Sequence, residues 1–264
     1  MISPSERVIA RIEGSTGWLI FNQPERNNAL TLEMWQAMYA VLDHYAENPD
    51  VRVIVVCGAG DRAFTAGADV SEFDKVRSTP EQVAYYNKTG ETASRKLYTI
   101  NKPTIAMIRG FCMGGGMGIA LTCDMRISAA SAHFGIPAAK LGLGYSWPGL
   151  KMIIDLAGPA FAREILFTGR TFTAAEAHGM GLVNRVVADN ELEDFVQSYC
   201  DMIGSNAPLT IQAAKNIIVE LMKTSENIDI PRMEELDARC YASEDYIEGR
   251  RAFLEKRKPV FRGR

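Results

Sequence analysis

The sequence predicts an α/β fold, and three observations carry that expectation. VRVIVVC (Val51–Cys57) is apolar at nearly every position, as a strand covered on both faces must be. A second apolar strand, Thr104–Ile108, runs into the glycines Gly114, Gly115 and Gly116 and restarts as a small-residue helix. A further strand at Met125–Ser128 completes a β-turn-α-β rhythm. The 264 residues suffice for one large domain, or a domain with an appendage.

The elements follow in order. Short β-like pieces at Val8–Ile12 and Trp18–Phe21 open the chain. Thr31 suits the N-cap of a helix in which Trp35, Met38, Leu42 and Tyr45 recur at three- and four-residue spacing, one buried face, and Asn48-Pro49-Asp50 ends it. After the strand Val51–Cys57, Thr79-Pro80 starts a longer helix reaching about Thr99. Beyond Pro137 helical signals dominate, at Pro148–Ala157, Pro159–Phe167 and Thr173–His178. The last opens on a Thr173-x-x-Glu176 capping box. A strand LVNRVV (Leu182–Val187) intervenes, and from Asp189 the pattern is helical almost to the end, as in Pro208–Lys223 and Ser243–Lys256.

Composition narrows the classes of function. A net charge of -3 gives no bulk electrostatic case for nucleic acid or an anionic membrane, and the basic end EKRKPVFRGR reads as a solvated tail. Five cysteines without a C-x-x-C pair fit a reduced, cytoplasmic protein. No apolar run has the length of a membrane span, and the first residues lack the pattern of a signal peptide. His44, His133 and His178 have no ligand spacing, so no metal is expected, and Cys112 has no evident activating base or cation.

The chemistry is concentrated in PTIAMIRGFCMGGGMGIALTCD (Pro103–Asp124). Glycines at a strand-to-helix turn admit a ligand close to the backbone, and the first helical N–H groups have no internal partner. That is an anion site in form, and tight helix packing alone is its bland alternative. No Lys, Ser or Thr follows the glycines, so a P-loop fails. The earlier Gly58-Ala59-Gly60-Asp61-Arg62-Ala63 fits G-x-G-x-x-A. A dinucleotide fold needs an acidic residue closing a second strand about twenty residues on, whereas Glu81 falls in a helix.

AFTAGADVSEF and PTIAMIRGFCMGGGMGIALTCDMRISA, with PERNNAL upstream and TGRTFTAAEAHGMGLVNRVV downstream, resemble the crotonase (enoyl-CoA hydratase/isomerase) superfamily over nearly the whole chain. The resemblance implies a crotonase-like spiral of ββα units over residues 1–200 and a C-terminal helical trimerisation region over 201–264. It also implies acyl-CoA substrates, no cofactor beyond the CoA of the substrate, and a homotrimer or dimer of trimers. Carried over by position, the backbone N–H groups of Ala68 and Gly115 form an oxyanion hole. Ala66, Asp69, Val70, Gly114 and Ala138 line the substrate, and Arg26 lies near the CoA phosphates. Two fixed donors suit a thioester oxygen that gains charge as an enolate. Asp69 also reads as a helix cap, and Arg26 as a surface charge.

Hydratases of this superfamily place one glutamate three residues beyond the oxyanion glycine and a second after the proline following the next strand. Here those positions hold Gly118 and Ala138, and neither moves a proton. Asp69, Asp124 and Asp155 are the conceivable substitutes. Tyr145 matches, in L-G-x-x-Y, a tyrosine of decarboxylating relatives such as methylmalonyl-CoA decarboxylase, and Ser146 falls where other branches place a catalytic aspartate. A buried amphipathic ring is the plainer reading of Tyr145. Trp147 reads as a pocket wall or core residue.

The resulting expectation is a lyase that stabilises a thioester enolate without a strong protein base, such as a malonyl-type acyl-CoA decarboxylase. An enoyl-CoA hydratase or isomerase with a non-standard base is the alternative, and a non-catalytic acyl-CoA-binding protein is the alternative of another class.

Overall fold

The alternation of strand and helix signals resolves, in a computed structural model describing residues 2–223 and 225–264, into two sheets and a helical envelope. β1 (Val8–Glu13) and β2 (Thr16–Phe21) form an antiparallel hairpin. α1 (Leu32–Glu47) starts where Thr31 accepts a hydrogen bond from Met34 N at 3.2 Å, and it buries the expected stripe of Trp35, Met38, Leu42 and Tyr45. There follow β3 (Val53–Gly58), β4 (Ala63–Thr65), the short α2 (Phe73–Val76) and α3 (Pro80–Thr99). A capping box of Thr79 and Gln82 opens α3, satisfying two of the helix's orphan amides at once. β5 (Thr104–Ile108), β6 (Phe111–Met113) and α4 (Gly115–Thr122) form the next unit, then β7 (Met125–Ala129), β8 (His133–Gly135) and α5 (Trp147–Thr168). β9 (Phe172–Thr173), α6 (Ala174–Gly179), β10 (Arg185–Val187), α7 (Leu192–Ser205), α8 (Pro208–Leu221), α9 (Ile230–Tyr241) and α10 (Glu244–Leu254) complete the chain.

One sheet runs β1-β2-β3-β5-β7-β10 and is parallel from β2 onward, while the second runs β4-β6-β8-β9. Each turn of the chain gives one strand to the first sheet, one to the second, and then a helix. β3-β4-α2/α3, β5-β6-α4 and β7-β8-α5 are three such turns, which is the expected crotonase-like spiral of ββα units. Along β3 the two-residue period sends Ile54 and Val56 into the core under α1 and α3, and Val53, Val55 and Cys57 to the other face under α7. Both faces are covered, which explains the unbroken apolar run.

The two helices expected either side of Gly158 are both present within α5, separated where Gly158 (φ 77°, ψ 166°) leaves the helical path. Two boundaries differ from the sequence reading. Only Arg185–Val187 of the expected strand Leu182–Val187 pairs with β7, and the exposed Asn184 just before it accepts from Arg126 N through its side chain at 2.8 Å. The boundary drawn after residue 200 falls inside α7, whose Leu192, Val196 and Cys200 pack on the sheet. The helical stretch beyond that packing begins at α8, which is tied to the core by Lys215 Nζ to Asp124 (2.8 Å) and to Lys102 O (2.9 Å). No helix among the described residues is long and apolar enough to cross a membrane.

Candidate active site

Two glycine turns meet where the sheets end. In the first, Thr65 Oγ1 accepts from Gly67 N at 3.1 Å, and Gly67 takes φ +91°. In the second, Gly114 (φ 52°, ψ -116°) adopts a backbone that side chains rarely tolerate and launches α4 at Gly115. A Cβ on Gly67 would lie 2.9 Å from Met113 O and 3.2 Å from Gly115 N. A Cβ on Gly116 would lie 2.4 Å from Thr65 Cγ2. Glycine therefore lets the two turns touch at backbone distance.

The backbone bonding fixes which amides are free. Leu30 N donates to Gly67 O (2.7 Å) and Asp69 N donates to Leu30 O (2.9 Å), a parallel bridge that turns the intervening Ala68 N–H to the opposite side. Gly115 N is the first amide of α4 and lacks an intrahelical acceptor. Among the described residues neither N–H donates to a protein acceptor, and a Cβ on Gly115 would lie 3.9 Å from Ala68 N. The structure thus brings together the two donors that the sequence singles out. Gly114 N is occupied, donating to Gly135 O at 2.8 Å, and Ala66 N donates to Asn27 O at 2.9 Å.

Tyr145 lies one helical turn away along α4. Its hydroxyl is 3.6 Å from where a Cβ on Gly118 would stand, and Gly149 leaves room for its ring. Gly115 and Gly118 share a helix face at i and i+3, separated by about 4.5 Å along the axis. The ring packs against the core, no hydrogen bond of the hydroxyl to protein appears among the described residues, and burial pushes its pKa up to about 12, with Cys112 adding to the rise. Tyr145 is therefore a neutral phenol at ordinary pH, able to donate a proton. Ser146 is exposed at the N-cap position of α5 without making a cap bond, and half-buried Ala138 packs on the core within the Pro137–Leu141 turn. Trp147 is 76% exposed at the start of α5, so it is no core residue.

The carboxylates near the site are all engaged. Asp69 is 7% exposed, and its Oδ1 accepts from Ser71 N (3.0 Å) and Ser71 Oγ (2.6 Å). Its Oδ2 accepts from Arg26 Nη1 (3.0 Å) and Gln23 Nε2 (3.4 Å). Burial alone raises the Asp69 pKa, but the Ser71 and Arg26 bonds outweigh it and hold the group below the ordinary carboxylate range. Both plain readings hold in part: Asp69 caps the Val70–Glu72 turn, and half-exposed Arg26 pairs with it. Val70 is exposed beside them. Asp124 accepts from Thr104 N and Lys215, and Asp155 pairs with Lys151. Cys112 is buried and its thiol is pushed up, first by burial and then by Cys123, so it is no thiolate. The three histidines lie exposed on separate elements, and among the described residues no His, Cys, Asp and Glu cluster has metal-ligand geometry.

Sequence reasoning passed over Asn28. It is fully buried and left-handed (φ 54°), accepts from Gln23 N (2.9 Å) and donates to Ala59 O (3.0 Å) and Ala63 O (2.7 Å). It ties PERNNAL to the loop between β3 and β4, and the paired asparagines were its signal, since Asn tolerates this backbone best after Gly. A separate cavity of about 810 Å³ lies on the α7 face of the sheet, lined in part by Arg11, Trp18, Cys57 and Arg109, and shares no residue with this site.

The family model described as enoyl-CoA hydratase/isomerase matches residues 11–264. The chain is 35% identical to a crotonyl-CoA hydratase of Syntrophomonas wolfei, covering 97% of this chain and 98% of the relative. It is 32% identical to a short-chain-enoyl-CoA hydratase of Clostridium acetobutylicum, covering 95% of each. A crystal structure of an enoyl-CoA hydratase/carnithine racemase from Magnetospirillum magneticum superposes with a TM-score of 0.95 at 35% identity, over 100% of this chain and 98% of the other.

Proposed function

The chain belongs to the enoyl-CoA hydratase/isomerase family, and on that premise we propose that it decarboxylates malonyl-type acyl-CoA thioesters. It is an acyl-CoA thioester enzyme of that family, and the proposal concerns its reaction. The observation that carries it is the unpartnered Tyr145 hydroxyl standing over Gly118, where a hydratase presents a carboxylate. A phenol with a pKa of about 12 donates protons and does not remove them at neutral pH.

The step balances without a base or further cofactor. The Cα–carboxylate bond breaks, its electron pair forms the Cα=C1 bond of the enolate, and the thioester π pair moves onto oxygen, which the N–H groups of Ala68 and Gly115 stabilise. CO₂ leaves. Cα then takes one proton from Tyr145, and the phenolate regains its proton from water. Donors aimed at the developing oxyanion lower this barrier, each contributing on the order of 10²–10³ in rate. Ser146 orients the leaving carboxylate, Ala66, Gly114, Val70 and Ala138 line the thioester and CoA arm, and the Arg26–Asp69 pair borders the phosphates. Exposed Ile218, Leu221, Phe253 and Leu254 on α8 and α10 are the faces on which copies assemble into a trimer or a dimer of trimers.

The test is CO₂ release from malonyl-, methylmalonyl- and ethylmalonyl-CoA, and absence of turnover on all three refutes the reading. The names of the relatives favour a second reading, hydration of an enoyl-CoA. Rapid loss of crotonyl-CoA absorbance without CO₂ chemistry supports that alternative instead.

A further inference from the structure

The decarboxylation reading makes no use of a buried aromatic pair beneath the two donors. Trp35 of α1 and Tyr86 of α3 are 7% and 6% exposed, far apart in sequence, and joined by a hydrogen bond from Trp35 Nε1 to Tyr86 Oη at 3.2 Å. Tyr86 Oη donates in turn to Leu30 O at 3.3 Å. That carbonyl also accepts from Asp69 N, while Leu30 N donates to Gly67 O, so the Leu30 backbone brackets Ala68 on both sides. The Trp35 ring reaches the other donor directly, with Cζ2 3.8 Å from where a Cβ on Gly115 would stand. The Tyr86 ring is held on its outer side by Phe73, edge-on at 6.4 Å, and by Arg77, 4.9 Å above it.

We infer that the Trp35–Tyr86 pair sets the spacing between the Ala68 and Gly115 donors, making Tyr86 a positioning residue of the oxyanion site. The inference rests on the oxyanion role proposed for those two amides and not on which acyl group is processed. Its physical content is a continuous path: one indole borders the first residue of α4, and through two hydrogen bonds it holds the carbonyl that orients the Ala68 turn. Donors must lie about 2.7–3.1 Å from the developing oxyanion, so a shift of a few tenths of an ångström in one turn weakens one of the two bonds. Leu30 O keeps its bond from Asp69 N when the phenol is removed, so loss of the Tyr86 hydroxyl relaxes the turn without leaving that carbonyl bare.

The test uses the full chain with Tyr86→Phe, which keeps the ring and its contacts with Phe73 and Arg77. Acetyl-CoA labelled with ¹³C at the thioester carbonyl is bound, and the carbonyl stretch is read by difference infrared spectroscopy, a measurement that needs no turnover. The wild-type protein is expected to shift the stretch to lower wavenumber, and Tyr86→Phe to lose a substantial part of the shift. Turnover on whichever substrate the enzyme accepts is expected to fall roughly 3- to 10-fold at nearly constant KM, the equivalent of one neutral hydrogen bond. Trp35→Phe, which retains an aromatic ring but has no N–H, is expected to move the stretch in the same direction. A Tyr86→Phe protein with the wild-type carbonyl frequency and turnover overturns the inference, even if its melting temperature drops, because that pattern is packing alone. A wild-type protein that leaves the carbonyl unshifted overturns the oxyanion reading itself, so the two failures are distinguishable.

Discussion

Replacing Tyr145 by phenylalanine removes one oxygen atom and separates a catalytic role from a structural one by the sign of two effects. The hydroxyl makes no hydrogen bond to protein among the described residues, and it is not among the buried side-chain atoms left without a partner, so the half-buried side chain leaves its oxygen some access to solvent. Nothing that packs is lost with it. The stability change is therefore expected to lie between zero and about 1 kcal/mol in favour of the variant, since no partner is orphaned and a partly desolvated polar group is removed. For a chain of this size that is at most about 2–4 °C in Tm. The rate effect runs the other way. A positioned proton donor contributes typically 10²–10⁴, so kcat for CO₂ release is expected to fall by about 10²–10³ while KM stays within a few-fold. The assay pairs thermal melts with initial rates of CO₂ release from the substrate the wild type turns over. An unchanged kcat refutes the reasoning, and so does a variant destabilised by more than about 2 kcal/mol, which would reveal a structural bond not seen here.

Three further outcomes follow from the same geometry. Burial raises the Tyr145 pKa to about 12 from an unfolded value of about 10, so the phenol holds its proton throughout the neutral range. Its stabilising contribution is complete below about pH 10 and is lost as pH rises toward 12; a rate–pH profile should accordingly show no alkaline break below about pH 10, and an earlier break points to a different donor. Gly67→Ala forces a side chain into φ +91° and a Cβ to 2.9 Å from the Met113 carbonyl, a backbone atom that cannot swing aside. We expect a loss of roughly 1–3 kcal/mol from the dihedral alone and a rate loss on the order of 10² as the donors part, read by urea unfolding and turnover; wild-type values in both would refute the touching-turn geometry. Gly118→Ala places a methyl 3.6 Å from the Tyr145 hydroxyl, an ordinary contact on a helix interior. It should stabilise α4 by roughly 0.5–1 kcal/mol while lowering the rate, and a destabilised variant with full rate contradicts the placement of Tyr145.

Most of the fold was legible because its determinants are local. Thr31, Thr79 and Thr173 cap helices where the sequence places caps, and the apolar run of β3 means two covered faces, which the sheet supplies. The pairing of the free Ala68 and Gly115 amides was legible through the family resemblance and the glycine pattern. What was not legible depends on contacts between distant segments. The Arg26–Asp69 pair, the three bonds of Asn28 and the Trp35–Tyr86–Leu30 path each join different parts of the chain, and no periodicity encodes them. Tyr145 was a candidate by position, but its direction was hidden, because it follows an irregular turn whose Gly142 is left-handed (φ 65°). Of the two readings of Trp147, wall or core, the core is excluded by its exposure. A single chain leaves it exposed, and apolar side chains on a surface are common.

The glycines of the site are not equivalent, and the difference bears on the reaction. Gly67 and Gly114 are required by backbone angle, and Gly116 by contact with Thr65. Gly118 is required by neither. Its φ is ordinary, and a Cβ there meets only the Tyr145 hydroxyl at van der Waals distance. The fold thus tolerates a side chain at Gly118, so the absence of one there is not a consequence of packing. The space beside it holds a phenol instead, and Gly149 leaves room for that ring, since its own Cβ would fall 2.7 Å from Tyr145 Cε1. On the proposed reaction two glycines and one tyrosine act together: Gly118 presents no base, Gly149 makes room, and Tyr145 supplies a proton donor over the same helix face. The proposed decarboxylation accounts for all three positions, because in that reaction the substrate generates its own carbanion and the protein has only to hold the oxyanion and return a proton.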